Sequence, residues 1–373
     1  MPSCARLHHA GRMGPLSGIR VVELASLAPG AFGAMILADL GADVLRVDRR
    51  SRARGLDLPA GVLDRGRSTI ALDLKDPGDL ATLIRIVESA DVFAEGFRPG
   101  VAERLGVGPN DLLERNPRLV YARMTGWGQD GPLAPRAGHD INYLAISGAL
   151  DPIGPAGHRP VPPLNLVGDF GGGGMLMALG VLAALLERQS SGQGQVVDAA
   201  MVDGSSLLMT FIHGMRDVGL WPNPRGGNLF DSGAPFYDTY ECADGRYISV
   251  GAVEAEFYDQ LVSTLGIEDA PHQYDFGRWP QLREQLAAVF KQRTMDEWAG
   301  VFADVDACVA PVLTPLEAPD HPHNTARTAF VDVGGTRQPA PAPRFSRTPA
   351  DPPRPLNTVD AKAMLDSWAV DLG

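Results

Sequence analysis

Short continuous apolar runs alternate with stretches of helical spacing through the first half of the chain. Residues 19–24 (IRVVEL) predict a buried strand. Pro29 and Gly30 then open a helical pattern carrying Phe32, Met35, Ile36 and Leu40. Gly41 closes it before a second strand, DVLRV. The unit repeats, with Asp76 as N-cap, Pro77 at the first helical position and Leu80, Leu83, Ile84 and Val87 on one face. Strand DVFAE follows, and LVYARM (119–124) predicts another. Strands alternating with helices of this length imply an α/β domain with a parallel sheet covered on both faces. A helix is expected from about Met175 to Arg188, after the glycine run 168–174.

The pattern changes beyond residue 220. The run WPNPRGGN (221–228) has linker character, and a hairpin turning at Asp244-Gly245 is expected after it, with helical segments near 254–265 and 281–302. The expected organisation is a large domain over 14–220, a smaller α+β domain over 229–320, and a return segment over 321–373. Prolines recur without period from Pro311 to Pro355, which predicts extended chain there.

Composition narrows the classes of function. A formal charge of -12 makes nucleic acid and anionic membrane poor partners, so an anionic ligand needs a local basic pocket. The cysteines, Cys4, Cys242 and Cys308, are odd in number and lack metal spacing, so neither a disulfide framework nor a metal site is expected and a reducing cytoplasm is the simple setting. The apolar stretch Met175 to Leu186 is too short to span a bilayer, and no membrane insertion is expected. The basic, acid-free start reads as a poorly ordered tail, with Met13 a possible start.

Three features hold candidate chemistry. Asp48 ends the second strand where a dinucleotide-binding acid would stand, but the loop LASLAPGAFG lacks G-x-G-x-x-G. Arg49, Arg50, Arg52 and Arg54 follow that strand, at the edge where open α/β sheets bind ligands. They are either solvated charges or a phosphate clamp. Asp169-Phe170-Gly171 resembles a kinase metal motif without that family's other signatures. At the entry of a helix it predicts Asp169 as a cap, with glycine N–H groups able to face a developing oxyanion. His139 and Asp140 precede an apolar run; alone, the histidine reads as a turn residue before it reads as a base.

Taken in order, GIRVVELASLAPGAFGAMILADLGADVLRVDR, STIALDLKD, AEGFRPGVAERLG, MTGWGQDGP, AGHDINYLAISGAL, VGDFGGGGM and ECADGRYISVGAVE resemble the family III CoA-transferases. The resemblance implies a Rossmann-like large domain completed by the C-terminal residues, a smaller domain, and an interlocked homodimer. Transferases of the family have an aspartate nucleophile at the position of Asp140. The Gly-His-Asp form at 138–140 is instead that of members that racemise 2-methylacyl-CoA thioesters, with His139 and Asp169 as the proton carriers and Glu254 as a supporting acid. Coenzyme A is then part of the substrate, with no metal or redox cofactor. Its implied contacts are Arg49, the run Leu72, Asp73, Leu74 and Lys75, the run Gly96, Phe97 and Arg98, then Arg104, and the run Gly138, Asp140, Ile141, Asn142 and Tyr143. Lys75 is one of only three lysines in the chain. An acid role for Asp169 requires a raised pKa, expected from burial and from an environment shared with Glu254. Transfer through Asp140 is the alternative activity.

Overall fold

A computed structural model describes residues 13–26, 28–50 and 61–371. Residues 1–12 of the expected tail, and Arg52 and Arg54, lie outside the described residues. The first apolar run is β1 (Arg20–Leu24) and the helical pattern after it is α1 (Ala28–Asp39). Gly41 then turns the chain at φ +101°, a left-handed conformation that suits glycine, into β2 (Asp43–Asp48). β3 (Arg67–Ala71) leads to α2 (Pro77–Glu88), where the Asp76 side chain accepts the N–H groups of Gly78 and Asp79. β4 (Val92–Glu95), the short α3 (Val101–Arg104), α4 (Pro109–Arg115) and β5 (Val120–Thr125) come next.

After α5 (Asp140–Ser147), a π-helical stretch, Leu166–Met175, runs directly into α6 (Leu176–Ser191). β6 (Val196–Ala200), α7 (Met201–Leu208) and α8 (Thr210–Asp217) follow. The expected hairpin is β7 (Tyr237–Glu241) and β8 (Tyr247–Gly251), with Gly245 at φ +78° in its turn. Beyond it lie α9 (Ala255–Thr264), α10 (Trp279–Phe290), α11 (Met295–Val301) and β9 (Val309–Pro311). The remaining elements are α12 (Pro322–Ala326), the hairpin β10 (Phe330–Val333) and β11 (Thr336–Pro339), and α13 (Ala361–Ser367).

Six strands form one sheet in the order β3-β2-β1-β4-β5-β6, and every pair is parallel. Alternation within each strand serves two cores. Val21, Val44, Val92 and Val120 face α1 and α6 through Leu37, Met177 and Val181. Val22, Leu45, Phe93 and Tyr121 face the other way, onto Leu83, Ile86 and Leu112 and onto Met364, Leu365 and Trp368 near the C-terminus. Residues near the C-terminus therefore pack into the core of this sheet.

The chain gathers into two compact units, one of residues up to Ser147, Leu164–Leu208 and His323 onward, the other of Gly148–Pro163 and Met209–Pro322. Residues 148–163 and 209–220, placed in the large domain by sequence pattern, gather with the second unit. That unit has the antiparallel sheet β7-β8-β9 and a core of Phe236, Ile248, Leu261, Leu286, Phe290 and Trp298. Its expected helix over 281–302 is two helices. The first ends at Phe290 with Lys291 as its C-cap, and Thr294 starts the second, because its hydroxyl accepts the Glu297 N–H and the Glu297 carboxylate accepts the Thr294 N–H.

The glycine run departs most from expectation. It is helical, so the continuous helix Leu166–Ser191 reaches 26 residues and is long and apolar enough, by length and composition alone, to cross a membrane. Met177, Ala178, Val181, Ala184 and Leu185 instead lie in the domain core, as in a core helix of a globular domain. The glycines permit close helix crossings: a Cβ on Gly172 would stand 2.7 Å from the Ser205 backbone nitrogen, and one on Gly174 2.5 Å from the Pro29 carbonyl oxygen. Gly172, Gly173 and Gly174 are buried in this seam against α1 and α7.

Candidate functional site

The sheet order reverses between β1 and β4, and open α/β sheets bind ligands beyond the carboxyl ends of strands at such a reversal. A cleft of about 410 Å³ lies there. Its walls include Ala25 after β1, Asp48, Arg49 and Arg50 from the end of β2, Leu72–Lys75 after β3, and Phe97, Val101 and Leu105 after β4. Six of the residues expected to touch coenzyme A, namely Arg49, Leu72, Asp73, Leu74, Lys75 and Phe97, thus share one cleft. Arg49 and Lys75 are exposed, and neither side chain is ion-paired with a described residue. Among the described residues, no group of three His, Cys, Asp or Glu could hold a metal ion.

The other expected contacts are not lining residues of this cleft, although Gly96, Arg98 and Arg104 flank lining residues in sequence. Glu95, the last residue of β4, accepts the Phe97 N–H on Oε2 at 2.6 Å and the Arg123 Nε on Oε1 at 3.0 Å, which pins the turn carrying Gly96, Phe97 and Arg98. Burial raises the Glu95 carboxyl above its ordinary range, against the Phe97 hydrogen bond and the Arg123 charge. Arg98 lies close enough to Tyr143 to favour its ionised form, while burial and the charges of Asp169 and Asp140 push the phenol up to about 12. Arg104 is exposed at the end of α3. The Tyr143 ring meets Trp127 edge-on at 4.7 Å, and a Cβ on Gly138 would come within 2.7 Å of that tyrosine ring. Glycine is needed at 138 for this close approach.

The His-Asp pair occupies the start of α5. The His139 carbonyl accepts the N–H groups of Asn142 and Tyr143, and the Asn142 side chain accepts the His139 N–H at 3.0 Å. Backbone position is thereby set while the imidazole stays exposed, as are Ile141 and Asn142. Asp140 points the other way. It is 8% exposed, and its Oδ1 accepts the Asp169 N–H at 2.7 Å. A Cβ on Gly168 would stand 2.3 Å from that same oxygen, so only glycine leaves it room.

Asp169 lies in the first turn of the π-helical stretch, and its side chain does not cap the helix as expected. Its Oδ2 accepts the Asn165 side-chain N–H at 3.1 Å. Burial raises the Asp169 carboxyl; the Asn165 hydrogen bond lowers it, the Asp140 charge raises it and the His139 charge lowers it. Within its own unit, the neighbouring acid acting on Asp169 is Asp140. Glu254 belongs to the second unit, where it is the exposed residue preceding α9.

Asp79 and Asn165 shape these segments without belonging to any recognisable motif, and Glu95 lies within AEGFRPGVAERLG with no role of its own expected there. An acid in a helix's first turn, as Asp79 is, is the only local signal among them.

The sequence profile of CoA-transferase family III matches residues 16–359. The chain belongs to CoA-transferase family III. Among its family III relatives, the alpha-methylacyl-CoA racemase of Mus musculus is 49% identical over 340 residues, covering 90% of this chain and 88% of the relative. The alpha-methylacyl-CoA racemase of Homo sapiens is 47% identical over 344 residues with the same coverage. A solved CaiB/BaiF family protein from Brucella suis has a TM-score of 0.82 at 24% identity, covering 96% of this chain and 100% of that one, which shows a shared fold.

Proposed function

We propose that this family III chain interconverts the (R) and (S) forms of 2-methylacyl-CoA thioesters by 1,1-proton transfer through an enolate. His139 and Asp169 are the proton carriers. The observation that carries this reading is the division of labour between adjacent residues. His139 presents an exposed imidazole, whereas Asp140, the nucleophile of the transfer alternative, is turned inward to hold the Asp169 backbone. The racemase names of two relatives that share nearly half of their residues with this chain support it.

Inversion at one carbon needs a base on one face and an acid on the other. A neutral His139 takes the α-proton of one enantiomer, the electron pair moves into the thioester carbonyl, and the protonated Asp169 returns a proton to the opposite face. The reverse direction exchanges the roles. Burial keeps the Asp169 acid form populated at higher pH than an exposed aspartate would allow. The enolate oxygen needs a donor as well, and the positive end of α5 beside His139 takes the place of the buried glycine run as its source. Coenzyme A enters as part of the substrate, and no other cofactor is proposed. Glu254 and a homodimer enter the proposal on the sequence resemblance.

Each enantiomer of a 2-methylacyl-CoA, incubated separately in D2O with no carboxylic acid acceptor, is expected to yield its epimer with deuterium at the α-carbon. Turnover only when an acceptor acid is supplied would replace this reading with transfer through Asp140.

The Asp169 environment also predicts a pH response. Asn165→Ala removes the hydrogen bond that lowers the Asp169 carboxyl, so its pKa rises further and its acid form persists to higher pH. The limb of the kcat/KM profile that reports Asp169 is expected to move towards higher pH. An unmoved profile would take Asp169 out of the proton transfer.

A further inference from the structure

Two walls of the cleft are joined by one carboxylate outside every segment so far given a role. Asp79, in the first turn of α2, is 8% exposed. Its Oδ2 accepts the Asp73 N–H at 2.7 Å, and its Oδ1 pairs with Nη2 of Arg50 at 2.6 Å. Asp73 belongs to the wall after β3 and Arg50 to the wall after β2. Arg50 also lies 3.5 Å by its Nε from the Ala71 carbonyl oxygen, so its side chain crosses from one strand end to the next.

We propose that Asp79 is a positioning residue that sets how the cleft receives the phosphate groups of its ligand. Bound to Asp79, Arg50 is a strut between the walls and its charge is neutralised. Among the described residues lining the cleft, Arg49 and Lys75 are then the cations left to meet anionic oxygens. The physical basis is geometric: a charge-assisted bond and a backbone bond to the two oxygens of one rigid carboxylate hold two chain segments at a fixed separation. The side chain of Asp79 is 11% exposed, so solvent competes little for that carboxylate, although Arg50 itself is 61% exposed.

This inference rests on the reading of the cleft as the coenzyme A site, and the experiment separates the two. Initial rates are measured with a 2-methylacyl-CoA and with the matching acyl-pantetheine, which lacks the nucleotide and its phosphates. The wild-type enzyme is expected to show a much lower KM for the CoA thioester. In Asp79→Ala the KM for the CoA thioester is expected to rise about tenfold, equivalent to about 1.4 kcal/mol of binding, with kcat for that thioester little changed. The KM for acyl-pantetheine is expected to move far less. Arg50→Met, at an exposed side chain and so safe for folding, is expected to give the same selective rise, and the double variant no further rise.

A fall in KM for the CoA thioester in Asp79→Ala would mean that the released Arg50 binds phosphate itself, and would overturn the proposal. So would an equal rise for both thioesters, the mark of a general structural defect. If the wild-type enzyme does not distinguish the two thioesters, the reading of the cleft fails first and the role of Asp79 with it.

Discussion

His139→Ala is expected to lower racemisation by about 10²- to 10⁴-fold, the usual contribution of a positioned acid or base, and to do so asymmetrically in isotope exchange. The enantiomer whose α-proton is taken by His139 should lose both exchange and inversion. The other still presents its α-proton to Asp169, so it should exchange deuterium with retention while failing to invert. Asp169→Asn, which keeps the side-chain shape but cannot carry the proton, should give the mirror-image pattern. The check is mass-spectrometric deuterium uptake combined with chiral analysis of the hydrolysed acid, each enantiomer run separately. Equal exchange of both enantiomers by His139→Ala would exclude two-sided proton transfer by this pair. The Asp140 geometry makes the same experiment informative about transfer, since Asp140 binds the Asp169 N–H and its replacement would disturb Asp169 as well. For that reason Asp140 variants alone do not separate the two activities, and the His139 and Asp169 variants do.

The largest effect on stability is expected at Arg67. This residue lies in β3 and is among the largest fully buried side chains of the molecule. It pairs with Glu23 of β1, lies 3.3 Å from Asp64, and donates to the carbonyls of Ala31 and Leu63. Burial pushes the Glu23 carboxyl up, opposed by the charge and hydrogen bond of Arg67. Taking away one partner of a buried pair leaves the other uncompensated and typically costs about 3–5 kcal/mol. Arg67→Met should therefore lower the urea midpoint sharply. The double variant Glu23→Leu with Arg67→Met should recover a large part of the loss, because two apolar side chains then replace the pair. A double variant as unstable as the single one would place the loss in the broken carbonyl contacts rather than in the stranded carboxylate. In this network Arg46 pairs with both Asp64 and Asp48, so the ion pairs join β1, β2 and β3.

Much of the site was legible because binding segments in this fold are strand ends. Phe97 stands just after an apolar run, and a run that ends a parallel strand delivers the next residues to one edge of the sheet, whereas Leu72–Lys75 follow the polar β3 and were reached through the family resemblance. His139 was legible as a turn residue ahead of an apolar run, and it stands just before α5, its carbonyl accepting the Asn142 and Tyr143 N–H groups. Its exposure, and the inward turn of its neighbour, were not. Consecutive residues at a helix start point in different directions, and which one meets solvent depends on what packs behind the helix. Here that is the Asp169 backbone, 29 residues further on.

The chain's own periodicity determined the parallel sheet, α1 and α2 with their Asp76-Pro77 start, and the β7-β8 turn, because apolar spacing, caps and turn glycines act within a few residues. Tertiary structure alone decided three things. β3 places a charged and polar Arg67-Ser68-Thr69 at a strand position, and is buried there only because Glu23 and Asp64 supply counter-charges from elsewhere. The glycines 171–174, a flexible loop by composition, became helical because α1 and α7 leave no space for side chains beside them. The roles of Asp140 and Asp79 depend on which N–H groups and guanidinium the fold brings within hydrogen-bond reach. Local spacing specifies an element, but the partner of a buried charge is specified by the register of chain segments far apart in sequence.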